Sequence, residues 1–230
     1  MKRLLLFDID GTLTRSHNGH IPFNEAILKT FGVPGDIRSV IADGNTDPLI
    51  IADIFATANL SVDDIDDKWE EFARNLRESY SRAIKSGITT LRALPGAVQL
   101  LRKLTSGGIL GCSVVTGNLE AMAQVKLEAA GLYSYLCRGA YGSDSPRRAD
   151  LPAIAKQRWE AATNLTIYPD DCIVIGDTPK DCDAARHNGM KCILIATGRY
   201  PVQELLCLKA DACLTDLTDT EAVIQTLLKI

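Results

Sequence analysis

The sequence predicts an α/β protein, a doubly wound parallel sheet that carries an inserted helical segment. Three observations point there. From residue 95 onward, apolar strand-sized runs alternate with segments of helical spacing, the pattern of a parallel sheet covered on both faces. The chain opens on a short apolar run, Arg3 to Phe7. Between that run and the next core strand roughly 100 residues intervene, where a crossover needs a dozen or so, and they carry helical spacing of their own.

Taken in order, RLLLF (3–7) reads as a buried strand. Asn24 to Phe31, Pro48 to Ala58 and Asp63 to Lys85 read as helices separated by turn residues. They make residues 15–92 a small helical insert and leave 1–14 and 93–230 as the α/β core. Pro95 to Thr105 is a core helix, with Val98, Leu101 and Leu104 on one face and Gly107-Gly108 after it. Leu110 to Val115 is a strand, Leu119 to Ala130 a helix stopped by Gly131, and Tyr135 to Arg138 a short strand. Ala149 to Ala162 is a helix, Cys172 to Ile175 a strand, and Asp181 to Asn188 a helix stopped by Gly189. Lys191 to Ile195 and Ala212 to Leu214 are strands; Val202 to Leu208 and Glu221 to Leu228 are helices.

Composition narrows the function. A net charge of −4 gives no basic footprint for nucleic acid. No apolar run reaches the length of a membrane span. The opening MKRLLLF stops at Asp8, too early for a signal peptide, so a cytoplasmic protein is expected. The seven cysteines are odd in number and form no CxxC pair. Cys112, Cys172 and Cys192 fall in apolar runs and read as small buried hydrophobes. His17, His20 and His187 lack metal-ligand spacing and read as surface residues.

The chemistry gathers at strand ends, where doubly wound sheets bind ligands. The first strand ends in Asp8-Ile9-Asp10-Gly11-Thr12, the second in Thr116-Gly117-Asn118, and the strand at Cys172 in Gly176-Asp177 with Asp181 four residues on. Residues i and i+2 of an extended chain point the same way, so Asp8 and Asp10 can face one ligand. Asp181 has a second reading, at N3 of a helix that Thr178 caps with Pro179 at N1. Asp47, before Pro48, likewise reads either as an N-cap or as a substrate contact. Asp8, Asp10, Asp177 and Asp181 together would concentrate negative charge that needs a cation. An oxygen-rich set suits Mg²⁺, which takes carboxylates, waters and phosphate oxygens. Arg147 or Arg148, on the loop before the Cys172 strand, would add positive charge; Arg148 fits the following helix better. Trp69, Phe72 and Tyr80 share helical spacing and read as core of the insert.

The whole set resembles the haloacid dehalogenase superfamily of phosphohydrolases, through DIDGT (8–12), VVTGN (114–118), an Arg in RRADL (147–151) and IGDTPKD (175–181). GNTDP (44–48) is similar to the cap segment of phosphoglycolate-phosphatase-like members, and ATGRYPVQEL (196–205) and ADACLTDLTD (210–219) to their C-terminal segments. The resemblance covers essentially the whole chain. It implies a Rossmann-like core under a mobile α-helical cap and a Mg²⁺-dependent phosphatase of small phosphorylated metabolites. In that reading Asp8 is the nucleophile that forms an aspartyl-phosphate, and Asp10 is the general acid and then base. The Asp8 carboxylate, the Asp10 backbone carbonyl and Asp177 hold the metal, with Asp181 supporting them. Thr116, Gly117, Asn118 and Thr12 hold the phosphate, Arg148 stands where the family has Lys, and Asp47 is a cap contact to substrate. A second Asp at position 10 favours phosphoryl transfer over dehalogenation. A sugar-phosphate mutase of the same fold and a non-catalytic phosphate-binding regulatory module are the rival readings. A dinucleotide-binding dehydrogenase is excluded, because no GxGxxG follows the first strand.

Overall fold

The computed structural model describes residues 3–57, 66–106, 110–136 and 138–230. Along the chain run β1 (Arg3–Phe7), β2 (Thr14–His17), α1 (His20–Phe31), α2 (Asp47–Thr57), α3 (Trp69–Lys85) and β3 (Thr90–Ala93). Then come α4 (Ala97–Ser106), β4 (Leu110–Val114), α5 (Glu120–Ala129), α6 (Leu151–Thr163), β5 (Cys172–Gly176) and α7 (Pro179–His187). The chain finishes with β6 (Lys191–Ile195), α8 (Val202–Leu206), β7 (Ala212–Leu214) and α9 (Thr220–Lys229). The expected Ala58, Asp63 and Gly107-Gly108 boundaries lie outside the described residues.

Five strands form one parallel sheet in the order β4-β1-β5-β6-β7. Its sequence origin is direct. Leu4 and Leu6 of β1 face one apolar layer, with Val174 of β5 and Cys192 and Leu194 of β6. Leu5 and Phe7 face the other, with Ile173, Ile175, Ile193 and Ile195. Both faces of each strand are covered, which is why these runs are continuously apolar rather than alternating. Each such Leu or Phe contributes about 1.5–3 kcal/mol by leaving water. Arg3 reaches across to donate to the Leu227 carbonyl and ties β1 to α9.

The 14–93 segment has a core of its own. Phe23, Ile27, Ile51, Ile54, Phe72 and Leu76 pack together, with Phe23 and Phe72 edge to face at 5.9 Å between ring centroids. Leu119, Met122 and Val125 of α5 complete that cluster, so the insert closes over a core helix.

Two expectations need correction. The insert is not all helical: β2 and β3 pair antiparallel, Thr14 opposite Ala93 and His17 opposite Thr90, as a ribbon joining it to the core. TRSH carries no apolar alternation, so sequence pattern misses it. Tyr135 to Arg138 is not a strand. Tyr133–Tyr135 is a 3₁₀ turn, and Arg138 takes a left-handed φ of 52°, which extended backbone cannot continue through. What remains is an isolated bridge between Val115 and Ala140. Among the described residues, no helix is long and apolar enough to cross a membrane.

Candidate active site

The chain leaves β1 to pair β4 on one side and later β5 on the other, so a crevice opens beyond Phe7 at the carboxyl ends of the strands. Asp8 stands at that point. Its backbone N–H donates to the Ile175 carbonyl at 2.9 Å, and its side chain is buried. Arg148 Nη2 lies 3.1 Å from Asp8 Oδ1 and 2.5 Å from Asp181 Oδ1. Arg148 reaches it from the 3₁₀ turn Arg148–Asp150 that leads into α6. Arg147 points away; its side chain is 69% exposed. Burial works against the Arg148 guanidinium, yet Asp181 and Asp8 outweigh it and hold the group charged. Among the described residues, Arg148 Nε is the buried side-chain donor that finds no partner.

Asp181 serves both of its sequence readings. At N3 of α7 it accepts from the Thr178 N–H at 3.0 Å and the Thr178 hydroxyl at 2.7 Å, while its other oxygen takes Arg148. Asp177 accepts from the Thr12 hydroxyl at 3.0 Å. Thr12, read as a phosphate contact, is fully buried and serves Asp177 instead. Gly11 is required beside it: φ is 79°, and a Cβ would stand 2.4 Å from Asp177 Oδ2.

One carboxylate oxygen from each of Asp8, Asp177 and Asp181 lies within 4.8 Å of the others. Burial, more than Arg148 can offset, raises the Asp8 carboxyl to about 6, with Asp181 and Asp10 adding to the rise. Burial, with Asp8 and Asp181 nearby, raises Asp177 to about 8. Crowded, buried carboxylates of this kind are a hard, oxygen-only donor set and fit a divalent cation such as Mg²⁺. Because Asp181 already has a donor on each oxygen, Asp8 and Asp177 are the freer ligands.

Asp10 turns to a different neighbour. Its Oδ2 accepts from Asn118 Nδ2 at 2.8 Å and from Lys126 Nζ at 2.6 Å. Lys126 also donates to Asn118 Oδ1 at 2.7 Å, and Asn118 Nδ2 donates to Thr116 Oγ1 at 2.7 Å. Lys126 is buried on α5 and was not singled out by motif. No sequence pattern marks it: Met122 and Lys126 stand one helical turn apart, but it is the fold that brings both to the cavity wall. Burial disfavours the ammonium, but Asp10, Tyr80 and Asp47 more than compensate and keep it charged.

The insert roofs this crevice. Asp47 N–H donates to the Gly117 carbonyl at 2.7 Å, and the Asp47 carboxylate accepts from Leu119 N–H at 2.8 Å. Asp47 is thus a cap, but of α5 rather than of its own helix, and burial raises its carboxyl to about 6. Gly117, read as a phosphate contact, gives its carbonyl to the roof; a Cβ there would stand 2.0 Å from the Asn45 carbonyl oxygen. Thr46 donates to Pro146 O at 2.7 Å, Lys180 donates to Asn45 Oδ1, and Arg199 pairs with Asp43 at 3.1 Å. Floor and roof enclose a cavity of about 720 Å³ that Asp8, Asp10, Thr116, Asn118, Arg148 and Asp177 line from below. Tyr80 and His20 line it from the insert. Tyr80 is core as read, its hydroxyl donating to Gly19 O at 2.7 Å, whereas His20 faces the cavity and not the open surface.

The chain is similar to known proteins along most of its length. The chain is 28% identical over 216 residues to the phosphoglycolate phosphatase of Rhodospirillum rubrum, covering 89% of this chain and 85% of that one. It is 26% identical to the probable phosphatase IndB of Dickeya dadantii, over 100% of this chain and 96% of that one. The crystal structure of a predicted phosphoglycolate phosphatase from Haemophilus somnus superposes with a TM-score of 0.70 at 22% identity, over 97% of this chain and 98% of that one, and shares the fold. Residues 2–189 match the model of one family, and the chain therefore belongs to the haloacid dehalogenase-like hydrolases.

Proposed function

We propose that the protein is a Mg²⁺-dependent phosphatase of small phosphorylated metabolites, phosphoglycolate-like in class, acting through a phospho-aspartate on Asp8. One observation carries the reading: a buried Asp8 carboxylate lies against the Arg148 guanidinium, a fixed positive charge, at the floor of a large roofed cavity.

The chain's residues divide the work. Arg148 holds Asp8 in place and offsets the phosphoryl charge. Thr116, with Gly117 and Asn118 after it, borders the phosphate. An Asp8 oxygen attacks phosphorus, the P–O ester bond breaks, and its electron pair leaves on the alkoxide, which takes a proton from Asp10. Water then attacks the phospho-aspartate, gives its proton to Asp10, and releases phosphate with Asp8 restored. Mg²⁺, held by the Asp8 and Asp177 carboxylates and the Asp10 carbonyl, would neutralise charge on the transferring group. Asp181 and Thr12 orient Arg148 and Asp177. Residues 15–92 act as the cap over the core of 1–14 and 93–230, excluding water and meeting the leaving group. The relatives' names support the phosphoglycolate-like class.

The test is phosphate release from a panel of phosphorylated small molecules, with Mg²⁺ or with a chelator, in the parent and in Asp8→Asn. Release that needs Mg²⁺ and falls by about 10³-fold or more in the variant is the expected result. A folded, Mg²⁺-supplied parent that releases phosphate from no substrate would overturn the reading.

A further inference from the structure

Lys126 is unexplained by the hydrolytic scheme. It projects from α5, a helix shared by floor and roof, and carries a charge into a buried position on the cavity wall. An ammonium has three donors, and Asp10 and Asn118 take two. Asp47 and Tyr80, from the insert, are the other titratable groups facing it. The arginines at the cavity are otherwise engaged: Arg148 with Asp8 and Asp181, Arg199 with Asp43, and Arg15 with the Thr197 carbonyl; His20 lines the cavity from the insert. Lys126 alone of these holds the residue that must reach the leaving oxygen. The contact is lopsided, because the Lys126 side chain is 9% exposed and the Asp10 side chain 43%. The aspartate is the partner free to leave.

We infer that Lys126 is the receptor for an anionic group on the leaving side of the substrate, and that the substrate's anion replaces Asp10 on the lysine and so releases Asp10 toward the ester oxygen, where it takes from water the proton that it then gives to the alkoxide. This rests on the phosphatase reading and deepens it by naming the substrate class: phosphomonoesters that carry a carboxylate or similar anion close to the ester oxygen. The physical reason is charge conservation in a buried place. Swapping one anion for another keeps the ammonium paired, whereas a neutral leaving group would have to pull Asp10 away and leave a buried cation without its ion-pair partner. Specificity and readiness of the acid are then one event, since only an anionic substrate frees the group that acts on it.

The experiment compares 2-phosphoglycolate with ethyl phosphate, close in size but lacking the carboxylate, in the Mg²⁺-loaded parent and in Lys126→Met and Lys126→Arg, with thermal denaturation as the folding control. The parent prefers 2-phosphoglycolate in kcat/KM. In Lys126→Met that preference ratio falls about tenfold or more, chiefly through KM for 2-phosphoglycolate, and Lys126→Arg recovers part of it. A structural role for Lys126 lowers both substrates equally and leaves the ratio fixed, which would overturn the inference. A parent that cleaves both esters with equal efficiency overturns it without any variant and leaves the phosphatase reading intact. A parent that cleaves neither, nor any other ester, removes both.

Discussion

The floor of the cavity and its roof contrast in how they are held. At the floor, Arg148 bridges Asp8 and Asp181, Thr178 fixes Asp181, and Thr12 fixes Asp177; every one of these groups is buried. At the roof, the 43–47 segment meets the core through two contacts of Asp47, one of Thr46 and two reaching side chains, Lys180 and Arg199; the Arg199 side chain is 62% exposed. Preorganised charges suit a chemical step, in which reorganisation costs rate. The 43–47 edge of the roof, docked through a few backbone atoms, one exposed ion pair and one lysine–amide contact, can shift without disturbing them, while the apolar face of α5 holds the rest of the insert in place. The comparison can be broken from either side.

The largest effect on stability should come from the floor. Arg148→Met removes the cation between two buried carboxylates and strands both, at a cost of about 3–5 kcal/mol. Thermal or urea denaturation would register it, and a loss under about 1 kcal/mol would mean that water already reaches these carboxylates. The same variant should recover part of its stability when Mg²⁺ is added, since a cation at Asp8 and Asp177 partly replaces the missing charge.

That division also decided what could be read from sequence. β1 and β6 fall on their expected residues because both faces are buried, so the apolar run and the strand coincide; β7, a half-buried edge strand, falls on its expected Ala212–Leu214 as well. Asp8, Asp10, Thr116, Arg148 and Asp177 meet at one cavity because short motifs sit at strand ends, where topology brings them together. The roof is harder. β2 is a polar strand fixed by pairing with β3, a tertiary fact with no local pattern, and the alternation of β3, with Leu91 inward, lasts only four residues. Lys126 reads locally as one more charged helix residue; only the fold aims it at Asp10. Asp47 reads as the N-cap of a helix starting at Pro48, yet it lies within α2 and its carboxylate accepts from the start of α5, some 70 residues away.

A second, smaller effect tests the floor as a cation site. Asp8 and Asp177 carry carboxyl groups raised to about 6 and about 8 from an ordinary 3.8. The folded chain therefore keeps protons that the unfolded chain has lost. The stability these groups contribute is full at low pH and declines as pH rises from about 4 to about 8 in the metal-free protein. Mg²⁺ must displace those protons, so its stabilisation runs the other way and grows with pH. At a hundredfold excess over Kd it is worth about 2.7 kcal/mol. The rise in Tm on adding Mg²⁺ should be larger at pH 8.5 than at pH 5.5. Equal rises would place the cation away from Asp8 and Asp177.

The smallest effect sharpens the comparison at the seam itself. Gly117 lies in the floor motif, but the atom nearest a Cβ placed there belongs to the roof, the Asn45 carbonyl oxygen at 2.0 Å. Gly117→Ala must therefore lift the 43–47 segment or shift its own strand end, at about 1–3 kcal/mol for overpacking. If the roof yields, the floor keeps its Asp8–Arg148–Asp181 geometry, and the damage appears as a higher KM with a smaller change in kcat. If the floor yields, Thr116 and Asn118 move with it and kcat falls in step. Asn45→Ala in the same background separates this clash from a side-chain effect: the offending oxygen is backbone, so removing the Asn45 side chain gives no relief and also deletes its contact with Lys180. Rescue by Asn45→Ala would show that the side chain, and not the carbonyl, sets how closely the roof can sit.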